Sequence, residues 1–474
     1  MVTLKVCPGA KLTPRLNLSK LNLMKNHSLK MLGLLAGLAM VGGLTAQAQD
    51  KATLDLLVQK GVITQADADG VAKSAAVPVV TTPKDAAVKG LKIEGLMQTQ
   101  FDFLTTSDST AGAPNPAASN QFFIRRAYLG AVADLGNGWS GELEMDFASG
   151  AQGQGGYTGL AADGAQNNFE KFLITKKLDD YDGVLNLGYQ KVHFTQEEFT
   201  PTPAVKAIER SIVSRYFDEA HTAQTSGRLG FADRHNGIYW DGKIGTTGIS
   251  YGATFATGIQ NSTGYSPTAG SGGFNTFSYW GYLQYAGSFS SLNYKVGLNA
   301  GLSQDGNSIA AQANSVWGYN PYVSLTYGSA FQLDAEFEQA LVTNGRSNGL
   351  GGATTTSRAA PYGINITPSY KINDYWEVAT RYSYLNTNGR GVSINNVTRN
   401  AENVSTPGTL FDDAQQFYVG LNWYVMKNSS LEFSVGYEYD EFTHRATSAT
   451  VNDANLTGPR ASVSGIRARM QLTF

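Results

Sequence analysis

Residues 431–440 read LEFSVGYEYD, and in this stretch large apolar side chains alternate strictly with polar ones. Leucine, phenylalanine, valine and two tyrosines occupy the odd positions, and the even positions carry Glu432, Ser434, Gly436, Glu438 and Asp440. Successive side chains of a β-strand point to opposite faces of the sheet. The stretch therefore predicts a strand that has an apolar medium on one face and water on the other.

The same period of two recurs along the chain from Lys92 onward, for example in WSGELEMDF at 139–147 and FQLDAEFE at 331–338. Marking each such segment predicts sixteen strands, at 92–103, 121–135, 139–148, 168–177, 184–191, 237–244, 247–256, 277–286, 291–302, 316–327, 331–341, 361–372, 375–385, 415–426, 429–439 and 463–474.

The connections between these strands alternate in length without exception. Those after even-numbered strands are short, as at 136–138 and 245–246, whereas those after odd-numbered strands are long. An even strand count with short turns at one end and long loops at the other is the layout of an outer-membrane barrel. A spanning sheet must also close, because lipid cannot satisfy free backbone groups. We therefore predict an all-β fold, a 16-stranded antiparallel transmembrane β-barrel formed by residues 91–474.

The composition excludes several other classes. Only 16% of the 474 residues are charged, against roughly 25% in soluble domains. The 36 basic and 38 acidic residues are balanced, so no nucleic-acid partner is expected. The single cysteine, Cys7, excludes a disulfide framework or a cysteine metal site. The five histidines show no metal-ligand spacing, and no cofactor is expected.

The N-terminus has the features of an export signal. A positively charged start at 24–30 precedes an apolar run at 31–44, and Ala-Gln-Ala at 46–48 fits a cleavage site before Gln49. We interpret residues 1–48 as a signal peptide, with Met24 as the candidate true start; a membrane anchor is the alternative, although the run is short for a span. Residues 49–90 are predicted to be a short periplasmic helical segment, helical over 52–76, and a linker containing Pro78 and Pro83.

The chain ends on an aromatic residue. Phe474 follows a strand whose outward register carries Ile466, Ala468, Met470 and Leu472. Such an ending resembles the C-terminal signal by which outer-membrane barrels are recognised during assembly. We therefore expect the barrel assembly machinery and outer-membrane lipid as partners.

Sixteen strands leave a water-filled lumen, and its narrowest part is predicted at the longest loop, residues 192–236. Its charges would sort solutes, since rings of charged side chains select ions of opposite sign. The basic candidates facing permeating anions are Lys206, Arg210 and Arg215, with Glu197, Glu198 and Glu209 as the nearest acids. A solvated surface loop is the alternative interpretation.

Strand alternation also assigns basic side chains to the lumen wall, and these are Arg126, Arg381, Arg467 and Arg469. Only one of two adjacent strand residues can face the lumen in a regular strand. The outward register of Ala127, Leu129 and Ala131 therefore places Arg126 inward and Arg125 in the lipid register, near the outer end of its strand.

Four segments resemble the phosphate-selective porin O/P family. They are FFIRRAYLG at 122–130, GWSGELEMDF at 138–147, LGYQKV at 187–192 with the acidic pair Glu197 and Glu198, and IERS at 208–211 with Arg215. The resemblance implies a homotrimeric sixteen-stranded channel with an inward-folded third loop. It also implies passive diffusion of small hydrophilic solutes or ions, with anions and phosphate as candidates.

Two other functions are open alternatives. A surface adhesin or structural outer-membrane protein would use the long polar loops as contacts. A barrel-borne hydrolase would need a serine and a histidine together, but His193 and His221 lie near Ser211 and Ser214 in sequence only. The sequence favours a channel that is not an enzyme.

Overall fold

The structure, a computed structural model, describes residues 88–108, 117–148, 169–179, 182–218, 234–257, 277–304, 315–343, 358–398, 411–427, 430–445 and 460–474, with Leu229 and Ala232. All of them belong to the second of two units of the chain, Thr82–Phe474. The predicted signal peptide, the candidate start at Met24 and the predicted periplasmic helical segment lie outside the described residues.

All sixteen predicted strands are present, and they form one closed barrel in which each strand pairs with its neighbours in sequence and β1 pairs with β16. The strands are β1 (Gly90–Asp108), β2 (Ala117–Gly136), β3 (Trp139–Asp146), β4 (Phe169–Leu178), β5 (Gly183–Lys191), β6 (Arg234–Lys243), β7 (Ile249–Thr257), β8 (Phe277–Phe289), β9 (Leu292–Gln304), β10 (Ser315–Tyr327), β11 (Phe331–Val342), β12 (Tyr362–Lys371), β13 (Trp376–Asn386), β14 (Phe411–Tyr424), β15 (Leu431–Arg445) and β16 (Ala461–Thr473).

Several strands extend beyond their predicted ends on the long-loop side. β1 continues to Asp108, β14 begins at Phe411, and β15 continues to Arg445. In these extensions the apolar side chains face inward, as Leu104, Phe411 and Phe442 do, so the apolar-out alternation ends while the backbone ladder continues. A hydrophobic pattern therefore underestimates the length of such strands.

Closure of the barrel places the last residue against the first strand. The backbone of Phe474 exchanges two hydrogen bonds with Gly95, of 3.0 and 3.2 Å. A Cβ atom at Gly95 would lie only 2.4 Å from the Phe474 ring, so a larger residue there would displace the ring. Glycine at this position lets the terminal aromatic ring cover the seam between β1 and β16.

The outward surface is apolar and bears aromatic rings at both ends of the barrel. Phe289 is 78% exposed near the short-turn end, and Phe122 is 75% exposed near the long-loop end. Tyr327 and Tyr370 also lie toward the short-turn end, and Phe147 lies toward the long-loop end. These are the two aromatic girdles that flank the lipid-facing band of outer-membrane barrels. Among the described residues, no helix is both long and apolar enough to cross a membrane.

Candidate permeation site

The third loop, which joins β5 to β6, contains two short helices. They are α1 (Gln196–Phe199) and α2 (Ile212–Phe217), separated by a 3-10 turn at Thr202–Ala204. The Thr195 side chain accepts a hydrogen bond of 3.3 Å from the Glu198 amide, and the Ser211 side chain accepts one of 3.0 Å from the Ser214 amide. Both helices thus begin at a hydroxyl cap, which satisfies amides that have no partner within the helix.

The first part of the third loop is bonded to the lumen wall on β9 and β11. The Asn299 side chain donates to the carbonyl of Phe194 at 2.5 Å. The carboxylate of Glu336 accepts from the amides of Gln196 at 2.7 Å and Glu197 at 3.2 Å. A carboxylate at this end of α1 is favourable, because the free amides of a helix N-terminus carry partial positive charge.

The second part of the loop is bonded to the wall on β14 and β16. Gln471 donates to the carbonyl of Pro203 at 3.2 Å, and Asn422 donates to the carbonyl of Lys206 at 2.9 Å. Since its two parts contact different strands of the inner wall, the third loop crosses the lumen. The inward-folded loop predicted from the sequence is present.

Glu209 is the centre of the ion pairs that hold this loop. Its carboxylate accepts two bonds from Arg125, of 2.6 and 3.0 Å, and it also forms an ion pair with Arg215. Its backbone carbonyl accepts from Arg381 at 2.6 Å. Burial raises the pKa of Glu209, but the guanidinium groups of Arg125 and Arg215 outweigh this and hold it well below the usual range. The carboxylate is therefore charged at neutral pH.

The lipid register assigned to Arg125 from the sequence is wrong, and a β-bulge is the reason. The pairing of β1 with β2 shifts between Gln98 and Thr99, so that Gln98 faces Arg126 and Thr99 faces Ile124. Arg125 is the extra residue of the bulged strand. Its guanidinium therefore reaches Glu209 inside the barrel, while Arg126 donates to Gln98 at 2.7 Å.

The other loop charges predicted to face anions are also paired. Arg210 contacts the Glu198 carboxylate at 2.8 Å and the Thr200 carbonyl at 2.9 Å. Lys206 pairs with Glu377 on β13 at 3.0 Å. Arg215 is 1% exposed and donates to the carbonyl of Val397 at 2.6 Å.

Glu197 joins the loop to the barrel wall. Its carboxylate accepts from Arg381 on β13 at 3.2 Å and from the Ser211 amide at 2.9 Å. The charges of the third loop thus fasten the loop to itself and to the wall.

The wall arginines on β16 bond to neighbouring strands and to the third loop. Arg467 contacts Asp102 at 2.6 Å and Glu438 at 2.9 Å, and Arg469 donates to the carbonyl of Ile208 at 2.7 Å. Arg469 also lies 3.8 Å from the carboxylate of Glu432. Both side chains are buried inside the barrel.

The third loop separates two cavities. The cavity that we call the eyelet has a volume of about 480 Å³ and lies between residues 198–203 and the wall formed by β1–β5. The cavity that we call the vestibule has a volume of about 910 Å³ and lies between residues 196–207 and the wall formed by β8–β12. Phe199, Thr200 and Pro201 line both cavities, so one segment of chain divides them.

Cations and carboxylates in the eyelet form ion pairs. Three of these pairs are Lys92–Glu94 at 2.7 Å, Lys191–Glu198, and Arg234–Glu170. In a fourth pair, Lys171 of the eyelet contacts Glu142 at 3.0 Å, and its side chain is 42% exposed. The eyelet is therefore in contact with water and carries charges of both signs.

The sequence pattern does not assign Lys171, Glu170 or Lys191 to the site. Lys171 and Glu170 lie at a second register shift, where β3 pairs with β4, which sequence alternation does not reveal. Lys191 is the last residue of β5, and its position beside Glu198 follows from the inward turn of the loop. Among the described residues, no group of histidine, cysteine or acidic side chains could hold a metal ion.

The model of the family described as "Phosphate-selective porin O and P" matches residues 106–474. The chain belongs to this family. It is thus an outer-membrane porin of the Gram-negative type, which lets solutes diffuse passively through a β-barrel constricted by the third loop.

Among solved structures, this porin is similar to an anion-selective porin from Comamonas acidovorans, at 13% identity with a TM-score of 0.50 over 81% of this chain and 99% of that one. It is also similar to OprB of Pseudomonas putida, at 11% identity and a TM-score of 0.49 over 80% and 94% of the two chains. The outer-membrane channel DcaP of Acinetobacter baumannii matches at 10% identity and a TM-score of 0.48 over 81% and 97%. No curated protein matches the sequence.

Proposed function

We propose that solutes cross this porin through the eyelet, between the third loop and the β1–β5 wall. The observation that carries the proposal is the exposure of charged side chains that line this cavity. The side chains of Lys92 and Lys171 are 71% and 42% exposed. Ions and polar solutes would therefore meet hydrated charges beside the third loop on this side.

We propose that the eyelet admits small hydrophilic solutes of either charge with weak selectivity. Each cation of the four eyelet pairs has a carboxylate partner within about one hydrogen-bond length. Paired charges largely cancel beyond a few ångströms, so an ion of one sign gains little in this passage. Phosphate would be one permeating solute among several.

Anion preference is the second candidate, and it is favoured by a cluster of arginines beside Glu209. The Nε and Nη2 atoms of both Arg381 and Arg469 have no hydrogen-bond partner among the described residues. Arg125 and Arg215 share the single carboxylate of Glu209. The local excess of positive charge would attract anions toward the eyelet through the low-dielectric wall. The family description and the anion-selective neighbour agree with this candidate.

Current measurements in planar bilayers test the route and separate the two candidates. Purified porin should conduct in steps, and a reversal potential near zero in a potassium chloride gradient supports weak selectivity. A reversal potential near the equilibrium potential of chloride, together with block of the chloride current by added phosphate, supports anion preference. A folded preparation that never conducts would favour the adhesin alternative, whose long loops lie largely outside the described residues.

Substitution of Lys171 tests whether the eyelet carries the current. Lys171→Gln leaves Glu142 without its cation, so permeability should shift toward cations, most clearly at low salt where screening is weak. Lys427→Gln is the matched control, because Lys427 lies in an exposed short turn and its side chain is 58% exposed. If Lys171→Gln keeps both the reversal potential and the conductance of the parent, the permeating ions do not pass through the eyelet.

We also propose that the chain has no catalytic role. His193 stacks on Phe199 and Tyr282, with ring centroids 3.4 and 4.2 Å apart, and its Nε2 lies 3.4 Å from Asp241. Ser211 caps α2 and Ser214 bonds within the loop. These serines and His193 thus have other partners, while His221 lies outside the described residues. Assay of the purified porin with ester and phospholipid substrates tests this proposal.

A homotrimer is our proposal for the assembly, because the family resemblance implies it. The apolar outward surface of the barrel could serve either lipid or a second copy. Sedimentation of the detergent-solubilised protein with matched detergent density gives its mass. A mass of one protein chain would contradict the trimer.

A further inference from the structure

In the part of the chain that the structure describes, a second loop folds into the barrel beside the third. The seventh loop, residues 387–410 between β13 and β14, contains a short helix, α3 (Ile394–Thr398). Its side chains Ile394 and Val397 pack in one apolar cluster with Val213, Tyr216 and Phe217 of α2, and all of them are buried. We call α2 and α3 together the plug.

Buried arginines fasten the plug at its polar edges. Arg215 of α2 donates to the carbonyl of Val397, and Arg467 of β16 donates to the carbonyl of Thr398 at 2.5 Å. Arg467 is in turn held by Asp102 and Glu438. The last carbonyls of a helix have no partner within it, so the guanidinium donors bind where free acceptors are available.

Apolar side chains from the wall complete the cluster. Leu104 on β1, Trp280 on β8, Val316 on β10 and Phe442 on β15 point into the same packed region. A barrel of sixteen strands is wide enough for an aqueous channel, so an apolar core inside its lumen needs an inserted element. The plug is that element.

The plug lies at the outer end of the vestibule. Vestibule-lining Glu336 bonds to Asn320, which bonds to Asn299, and both asparagines are buried. Beyond them, Ser303 bonds to Ser278 at 2.7 Å, and these serines are buried as well. The polar register of β8–β11 thus continues outward from the vestibule to the packed region, as the wall of an aqueous path would.

We propose that the plug closes a second conduit in this porin, whose periplasmic half is the vestibule. Hydrophobic constrictions close pores by excluding water, which fits a path that is polar along its wall and apolar at the plug. The vestibule is lined by uncharged polar groups such as Asn293, Ser324, Gln332 and Thr367, and by charges of both signs that nearly balance, namely Lys206, Lys295, Glu197, Asp334 and Glu336. Small polar solutes of low net charge are therefore the class that the second conduit would admit.

The decisive variant removes α3 from the plug. Residues 392–398 are replaced by seven glycines and serines, and Ile394→Ser with Val397→Ser is the milder second variant. Both are made in the full chain, and folding is verified by the heat-modifiable band of the intact barrel. Single-channel conductance should rise to about twice the parental value or more, because current would pass through two parallel paths and the vestibule has a larger volume than the eyelet. Val419→Ser, on the lipid-facing surface, is the matched control and should conduct as the parent does.

A cysteine reporter shows whether the path has opened. The only cysteine of the chain, Cys7, lies in the predicted signal peptide, so Ser303→Cys introduces a single thiol. The Ser303→Cys substitution is made in the protein with an intact plug and in both plug variants. A charged methanethiosulfonate reagent should not modify the thiol behind the intact plug. In both plug variants it should react with the thiol, and the reaction should lower the current. If the variant with residues 392–398 replaced folds and has the same conductance as the parent, the proposal is wrong, whether or not the thiol reacts. The reversal-potential test of the eyelet is independent of this result.

Discussion

Substitution of Glu209 is the most direct test of how the third loop is held inside the barrel. In Glu209→Gln the carboxylate that Arg125 and Arg215 share is replaced by a neutral amide. The amide can accept from one guanidinium, but it cannot balance two positive charges. We therefore expect the inward position of the third loop to be weakened, while the strands of the barrel keep their ladder.

The expected magnitude follows from burial. The side chains of Glu209 and Arg215 are each 1% exposed and that of Arg125 is 10% exposed, so water cannot replace the lost carboxylate. Removal of one partner from a buried ion pair costs about 3–5 kcal/mol. Every 1.4 kcal/mol is about tenfold in an equilibrium constant, so the displaced loop should become about two to three and a half orders of magnitude more populated.

Single-channel recording measures this change directly. The variant should show longer visits to noisy or larger conductance levels, and limited proteolysis should cut the third loop faster than in the parent. Glu209→Asp keeps the charge on a shorter side chain, so its gating and its protease sensitivity should lie between those of the parent and those of Glu209→Gln. Glu441→Gln on β15 is the matched control, because Glu441 is outside the Glu209 contacts.

The pH dependence gives a second check on the same contact. A carboxylate whose pKa is lowered by folding stabilises the folded form above its unfolded pKa of about 4.3, and this stabilisation is lost as the pH falls through the lower folded pKa. Loop position in the parent should therefore be constant from pH 7 to about 5. If Glu209→Gln shows the same conductance levels and the same rate of proteolysis as Glu441→Gln, the Glu209 carboxylate does not keep the third loop inside the barrel.

Three further outcomes can be checked with the same preparations. Arg126→Glu should change selectivity if its side chain acts on the lumen, and unchanged conductance and reversal potential would show that Arg126 does not line the pore. Simultaneous replacement of Lys206, Arg210 and Arg215 by glutamine should increase gating noise and protease sensitivity, because these residues form ion pairs; a clean shift toward cations with a stable loop would instead place them in the path of anions. Deletion of Phe474 should impair insertion into the outer membrane, and normal heat-modifiable folding of the shortened chain would contradict this.

The fold could be predicted because its determinants are local. Strands such as 431–440 alternate apolar and polar side chains within a single segment, and turns such as 136–138 contain the residues that a tight reversal requires. Asn137 has a φ of 52° between two glycines with φ of 80° and 75°, and asparagine and glycine tolerate this region of backbone conformation. No knowledge of distant residues was needed to place either element.

The plug could not be predicted, because its signal is shared between distant segments. Val213 and Val397 are 184 positions apart in the sequence, and neither helix is longer than six residues. An apolar residue in a surface loop is common and predicts nothing by itself. Only the closed barrel brings the two loops together and gives their apolar side chains a common core.

The two adjacent arginines show why the site was harder to predict than the fold. Strand alternation places Arg126 inside, which is correct. A regular ladder would then place the adjacent Arg125 outside. One inserted residue changes this: with the bulge, both guanidinium groups lie inside, and Arg125 becomes the wall partner of Glu209. The same kind of shift at β3 and β4 accompanies the contacts of Lys171 and Glu170 with the eyelet. Bulges re-aim side chains without any change in the apolar pattern. In this porin the bulges at Arg125 and Glu170 lie beside the third loop and the eyelet, so the residues that decide the chemistry there are ones that a period of two assigns poorly.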